Sequence, residues 1–581
     1  MSTHDPIEPS YEIYAHTVTE MKNLLLDMKS RKEDINWQQK AEQLEKELKL
    51  LKKNKNYGLF WKEKPEEFEE RTKDSFPVLE EVKELEITQN ETSANIIIEW
   101  DNYHTLSVLS YTHRWQVDVI YIDPPYSTGN KDFIYNDHYV DREDDFRHSK
   151  WLSFMEKRLK LAKDLLKETG VIFISIDDNE QAQLKLLCDE IFSEASFHWM
   201  ITWKKKDIPV NIGMARHNLQ SKMEYVLVYS RSTKIDHPWF NTEWGKERLF
   251  PHLDNFWKSC RLENILKWSA WAANRETLKF DILWFSPPHW KQWQIWKDTM
   301  EDLLKQNPPR LILYKGTPKR VVYPEDEWAS DGVNTFWSHL ETGTASAGKK
   351  LLSDILIEWK DFDTVKPIDL IEQLIYRAWN KNSLILDFFA WSGTTGHAVM
   401  TLNKEDWGNR RFILCSSRED TVDNPEKNIC RDITYQRVKR VAKWYTNTKW
   451  ENIEGLGSNI RYLKTDFIQK QKWMDNIRHC MVERCSEMLC LKENIWQRIE
   501  DISNENMWFY KREDKYLAIL FSLFQFGDFS KIIRTFNKPV AIYVFSRGQM
   551  TKDDFDGIQV PYSVEEIPDP ILAVYKTIFW L

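Results

Sequence analysis

At 581 residues the chain exceeds one ordinary domain, and a prior of about one domain per 150 residues directs the search to internal boundaries. With 42% hydrophobic and 14% aromatic residues its texture is globular, and no window approaches the roughly 18 uncharged apolar residues of a membrane span. A net charge of -9 excludes a general electrostatic grip on nucleic acid, so contacts with a polyanion fall to local basic patches. The polar, acidic stretch Met1 to Tyr14 is no secretory signal, and a cytoplasmic enzyme is expected. Seven scattered cysteines, among them Cys480, Cys485 and Cys490 at five-residue spacing, fit neither a zinc site nor a disulfide framework; free thiols and no metal are expected. One ratio is abnormal. The chain has 17 Gly and 28 Trp, whereas average usage of about 7% would give roughly 40 Gly, a figure the two residue types together come close to.

In chain order, His16 to Lys55 is charged, with apolar positions at helical spacing (Met21, Leu24, Leu25, Met28, then Leu44, Leu48, Leu51), which predicts a helical hairpin or short coiled coil, either a solvated helix packing on its own domain or a contact between subunits. From Asn95 strands and amphipathic helices alternate. Strands are expected at Asn95–Glu99, Val117–Ile122, Val171–Ile176 and Met223–Ser230, with a helix over Trp151–Glu168 capped by Gly170. Such alternation predicts an α/β fold with a parallel sheet. From about 235 to 360 the periodicity decays into an aromatic, lysine-rich stretch, which reads as a variable insert. Strand texture returns at Leu384–Phe389 and Arg411–Cys415, and residues 464–581 read as a small α+β module. The expected divisions are therefore 1–55, 56–234, 235–360, 361–463 and 464–581.

Two turns carry chemistry. The apolar strand ending at Ile122 runs straight into Asp123-Pro124-Pro125-Tyr126. An exocyclic amine attacks a methyl sulfonium only once its lone pair is freed from ring conjugation, so acceptors must hold both N–H groups. The Asp123 carboxylate and the Pro124 carbonyl can supply them, while two prolines stiffen the turn. Tyr126 offers a face on which an extruded base can stack. A bare tetrapeptide of this kind is also an ordinary turn; at the carboxyl end of a buried strand it gains force, because ligands of open α/β sheets bind there. The second turn is Asp387-Phe388-Phe389-Ala390-Trp391-Ser392-Gly393-Thr394, again between strand and helix.

This second segment resembles the cofactor loop of DNA methyltransferases, whose Asp-x-Phe-x-Gly-x-Gly pattern wraps S-adenosylmethionine. The resemblance assigns Asp387, Phe389, Ala390, Trp391, Ser392, Gly393 and Thr394 to the cofactor. Asp101 resembles the acidic position that reads the cofactor adenine, and Lys366-Pro367 resembles the flanking cofactor segment; a solvated carboxylate and a plain turn are the ordinary alternatives. A catalytic turn preceding the cofactor loop, with an insert between, is similar to the permuted β class of amino-methyltransferases, which carry a target recognition domain there. Gly58 to Trp61, Lys64 to Glu67, Tyr135 to Asp137, Arg147 to Trp151, Arg431 to Arg440 and Lys538 to Phe545 together resemble modification subunits of type III restriction-modification systems. That resemblance implies a Rossmann-like methyltransferase sheet, adenine-N6 methylation of double-stranded DNA, a homodimer and a helicase-nuclease restriction partner, with no membrane. A cytosine-N4 enzyme commonly has Ser where this chain has Asp123. A catalytically inactive DNA-binding or assembly subunit is the other alternative, and methylation of RNA or protein glutamine leaves the insert and C-terminal module unexplained.

The loop departs from the family pattern at one position: Trp391 stands at its first glycine, where an indole would fill the cofactor's volume. Trp100, Trp115, Trp407, Trp444 and Trp450 also look like glycine places, whereas Trp61 and Trp151 fit the family as they stand. The expectation is a gene that uses UGA for glycine, as some bacterial lineages do, written out with Trp; a decayed gene copy leaves the near-cancellation of Gly deficit and Trp excess unexplained. Basic runs at Trp203 to Lys206, Arg216-His217 and Lys315 to Arg320 are candidates for phosphate contacts, though each alone is more often a solvated face.

Overall fold

Runs of β-branched and aliphatic residues build the strands of one large sheet, and their burial fixes where the rest of the chain must pack. The computed structural model describes residues 61 and 66–579, apart from 90–91, 130–132, 136–137, 141–142, 207–218, 234–251, 255–257, 269–275, 324–333, 359–363, 379, 420–427, 470–484, 547–549 and 551. Met1–Lys62 and Glu63–Leu581 are separate compact units, and the described residues fall almost wholly in the second. The helices expected over 1–55, and the Lys64-Pro65, Asn136-Asp137 and Arg216-His217 positions, lie outside them.

The sheet's strands are β1 (Ser75–Glu81), β2 (Asn95–Glu99), β3 (Val117–Ile122), β4 (Leu166–Ile176), β5 (Phe197–Lys204), β6 (Met223–Ser230), β7 (Phe336–Trp337), β8 (Leu384–Asp387), β9 (Arg411–Ser416) and β10 (Ile460–Gln469). Their spatial order is β1-β10-β2-β9-β8-β3-β4-β6-β5-β7. From β10 to β4 every pairing is parallel; β1 and β6 run against their neighbours. The central strands β2, β3, β8 and β9 are buried along almost their whole length, as parallel strands covered on both faces must be. Helices α1 (Asn102–Thr112), α2 (Arg147–Leu165), α3 (Ile368–Ala378) and α4 (Thr394–Asp406) flank them, and Ile97, Val119, Phe173, Ile385, Leu374 and Leu414 meet in the core. This is an α/β, Rossmann-like sheet.

Helix α2 stops at Leu165, three residues before the expected end, and Gly170 does not cap it. It sits inside β4, where the pairing steps from Val117↔Leu166 to Val119↔Val171. A Cβ there would come 2.9 Å from Leu166 Cδ2 and 3.0 Å from the Val117 carbonyl oxygen, so close strand approach, and not helix termination, demands glycine.

The region expected as an insert holds a four-stranded antiparallel sheet (His252–Leu253, Ser259–Asn264, Leu311–Tyr314 and Thr317–Val322) beside a small core of Ile265, Leu266, Trp293, Met300 and Leu311. Its downstream part returns to the main sheet. There β7 pairs with β5, and Leu352 and Ile355 of the helix Ala345–Ile355 enter the main core. At the other end β10 inserts between β1 and β2, and beyond it a five-stranded sheet is built from Gln497–Arg498, Met507–Lys511, Tyr516–Leu520, Val540–Phe545 and Tyr562–Ile567. Among the described residues no helix is long and apolar enough to cross a membrane.

Candidate active site

Strands β3 and β8 are parallel neighbours in register Ile385↔Val119 and Leu386↔Ile120, so the turns that follow them leave the same edge of the sheet side by side. The Asp123 turn is held from three directions. The buried Trp151 indole of α2 donates to the Pro125 carbonyl at 2.6 Å. The Lys366 ammonium, just before α3, lies 2.8 Å from each Asp123 carboxylate oxygen and donates to the Tyr126 hydroxyl at 2.8 Å. Tyr126 in turn donates to Asp123 Oδ1 at 2.8 Å and lies 3.2 Å from Glu224 Oε2 on β6. Glu224 is itself buried, with Lys366 at 3.3 Å and Lys205 at 3.0 Å.

Two carboxylates and two ammonium groups thus share one nearly dry corner. Burial pushes the Asp123 carboxyl up, against the pull of Lys366. Burial also raises Glu224, but Lys366 and Lys205 outweigh it and hold that carboxyl below its usual range. For Lys366, burial disfavours the charge and Asp123 with Glu224 more than restore it, so the ammonium persists. Sequence reasoning attached Lys366 to the cofactor; here its charge goes to Asp123 and Tyr126. It missed Glu224, a single acid within an apolar strand.

The second turn is fixed from below. Asp387, at the end of β8, accepts from the Phe389 backbone N–H at 3.0 Å and from Thr395 Oγ1 at 2.5 Å. Burial pushes its carboxyl up to about 7. The Ala390 N–H donates to the Cys415 carbonyl at 2.9 Å, and the buried Arg437 donates to Thr394 Oγ1 at 2.8 Å and lies 3.3 Å from Ser392 Oγ. Gly393 caps α4 at φ 73°, and a Cβ would meet the Thr434 carbonyl at 3.2 Å.

Asp101 caps α1, accepting from the Tyr103 and His104 N–H groups at 2.8 and 3.2 Å, and its other oxygen meets Arg158 at 3.1 Å. The fully buried Arg158 also forks onto Glu66 at 2.8 and 2.9 Å and bonds Asn102, whose amide reaches the Phe388 carbonyl at 3.0 Å. A structural chain therefore joins the Asp101 position to the Asp387 turn. Sequence reasoning passed over Arg158, one arginine in a helix full of basic residues.

Trp391 separates the two turns. It lies at φ 44°, its ring runs along Phe389 (centroids 6.5 Å apart, planes at 21°), and its indole N–H donates to the Asp123 carbonyl at 2.6 Å. The indole thereby bridges the Asp387 turn and the Asp123 turn, and a ligand bound between them would compete with it for that space. The polar groups of the loop suit S-adenosylmethionine; residue 391 as written does not fit it.

Comparison with known proteins agrees with this geometry. Residues 117–427, which include both turns, match the DNA methylase family model N6_N4_Mtase. The chain is similar to the StyLTI Mod subunit of a type III restriction-modification enzyme from Salmonella typhimurium, 33% identical over 404 residues that cover 63% of this chain and 59% of that protein. The EcoPI Mod subunit of Escherichia phage P1 is 30% identical over 447 residues, covering 66% and 67%. The type II methyltransferase M.KpnI of Klebsiella pneumoniae is 32% identical over 391 residues, covering 62% and 91%. This chain thus spans 59% to 67% of the length of those two type III relatives. The family model takes in more than half of the sequence and both turns of the site, and the chain belongs to the DNA methylase family, with type III modification subunits among its relatives.

Proposed function

We propose that the protein is a site-specific DNA methyltransferase that transfers a methyl group from S-adenosylmethionine to adenine N6 of a flipped base, as the modification subunit of a type III restriction-modification system. The observation that carries it is the pair of turns at one sheet edge, Asp123 to Tyr126 beside Asp387 to Thr394. The Asp123 carboxylate and the Pro124 carbonyl accept the two amine N–H groups, Pro125 stiffens the turn and Tyr126 stacks on the base. Lys366 and Glu224 position Asp123 and Tyr126. Asp101, Asp387, Phe389, Ala390, Ser392, Gly393 and Thr394 line the donor side.

Double-stranded DNA is the substrate, read by side chains of the 235–360 region. Its hairpin Leu311–Tyr314/Thr317–Val322 carries Lys315 and Gly316 at an exposed tip, a form suited to phosphate contact. The same reading makes the protein a cytoplasmic homodimer that assembles with a helicase-nuclease restriction subunit, and the type III modification subunits among its relatives support the restriction partner. The test is methyl transfer by the purified chain and its W391G variant onto random-sequence duplexes, followed by nucleoside analysis. N6-methyladenine that disappears in Asp123→Ala supports the reading; N4-methylcytosine, or no DNA product from either protein, overturns it.

A further inference from the structure

Twelve described residues other than glycine adopt positive φ, and six of them are tryptophan: Trp100 (133°), Trp115 (61°), Trp284 (60°), Trp391 (44°), Trp407 (56°) and Trp450 (63°). Tryptophan makes up 28 of 581 residues, so half of this group is far from its share. A bulky side chain clashes with its own backbone in this region, which glycine enters freely.

The surroundings of each position ask for the same residue. Leu283 and Trp284 are the two central residues of a hairpin closed by reciprocal Ile282 and Phe285 bonds of 3.1 and 2.9 Å, a turn that needs positive φ at both and favours glycine second. Trp407 ends α4 in the left-handed conformation, the usual place of a helix-terminating glycine. Trp450 closes a turn whose N–H donates to the Asn447 carbonyl at 3.0 Å, between strands that pair antiparallel. Trp115 links α1 to β3, and Trp100 links β2 to the Asp101 cap.

Three of the indoles project into solvent: Trp284, Trp407 and Trp450 are 105%, 90% and 86% exposed. Trp115 is 54% exposed, with Arg114 4.7 Å and Arg231 5.4 Å from its ring, and Trp100 has Arg418 at 5.4 Å. Another set of tryptophans behaves as the residue normally does. Trp151, Trp203, Trp293 and Trp337 are at most 3% exposed, have negative φ, and each donates its indole N–H to a carbonyl. The structure also corrects the list drawn from sequence: Trp444 is extended at φ 174° and requires no glycine, whereas Trp284 joins the group.

We infer that the protein uses glycine at positions 100, 115, 284, 391, 407 and 450, through UGA codons read as glycine, and that glycine at 391 opens the methyl-donor space. At 391 the inference rests on the methyltransferase reading; at the other five it does not. Loss of the indole frees the Asp123 carbonyl and clears the gap between the turns.

Two measurements test it. Codons at the six positions should be UGA, and those for Trp151, Trp203, Trp293 and Trp337 should be UGG; UGG at the six overturns the recoding. In purified full-length protein, the triple variant W284G/W407G/W450G, remote from the site, should unfold at a higher temperature than the chain as written, and an unchanged or lower midpoint overturns the glycine assignment. Calorimetric titration with S-adenosylmethionine should show W391G binding at least tenfold tighter. A stabilised triple variant together with equal affinity of W391G and its parent would keep the glycine assignment and overturn the donor-space role of position 391.

Discussion

Removing the Lys366 ammonium while keeping most of its stem, as in Lys366→Met, isolates what the buried charge cluster does. The ammonium sits 2.8 Å from Asp123 and 3.3 Å from Glu224, which at an effective dielectric near 20 corresponds to gross attractions of about 6 and 5 kcal/mol. Desolvation of the ions consumes several kcal/mol of this. What the variant exposes is the other side of that balance: two mostly buried carboxylates that share the Tyr126 hydroxyl, with Lys205 the remaining cation beside Glu224 among the described residues. Breaking a buried pair from one side typically costs about 3–5 kcal/mol, and that is the expected loss at pH 8. The sign with pH follows. Without Lys366 the Asp123 carboxyl rises further above its unfolded value, so the native state holds a proton that the unfolded chain releases, and stability falls as pH climbs. The variant should therefore recover part of its loss at pH 6. Urea unfolding of both proteins at pH 6 and 8 reads this directly. A loss below about 1 kcal/mol, or one identical at both pH values, would refute the cluster as the support of the catalytic turn.

Three further perturbations bear on the same architecture. The Asp387 carboxyl, raised to about 7 by burial, keeps its proton in the native state, so it should make stability decline between about pH 4 and 7 by up to about 4 kcal/mol; in Asp387→Asn that decline should vanish from the thermal midpoint profile, and parallel profiles would contradict it. Arg158→Ala strands the buried Glu66 carboxylate and should cost about 3–5 kcal/mol, whereas Asp101→Asn keeps a capping side chain on α1 and should cost under about 1 kcal/mol; equal losses would show that Arg158 does not centre the network. Trp151→Phe leaves the Pro125 carbonyl without its 2.6 Å donor, so about 1–3 kcal/mol should disappear in chemical denaturation, with methyl transfer reduced at unchanged secondary structure by circular dichroism.

The strands Asn95–Glu99, Val117–Ile122 and Met223–Ser230 were legible because each is a short, largely apolar run of mostly buried residues, bounded by polar punctuation. The two turns were legible because their chemistry is local: Asp123 to Tyr126 and Asp387 to Thr394 each hold their role within a few residues. What stayed hidden is long-range. Nothing near Glu224 announces that it faces a lysine at 366, and nothing in Phe336–Trp337 tells that this pair leaves the insert to extend the main sheet beside β5. Gly170 was misplaced for a related reason: a glycine between helix and strand suits a cap as well as a crowded strand, and only the approach of Val117 distinguishes them. Backbone sign was beyond sequence too, which is why Trp444 and Trp284 changed places among the glycine positions.

The position of β10 has a consequence for biosynthesis. Strand β1, made early, has β10 as its one neighbour in the sheet among the described residues. On the ribosome its free edge must therefore wait until the chain has emerged through Gln469, and a nascent chain stalled before that point would present an unpaired strand rich in buried-type residues, Phe76, Val78 and Leu79, to whatever chaperone or neighbouring polypeptide meets it first.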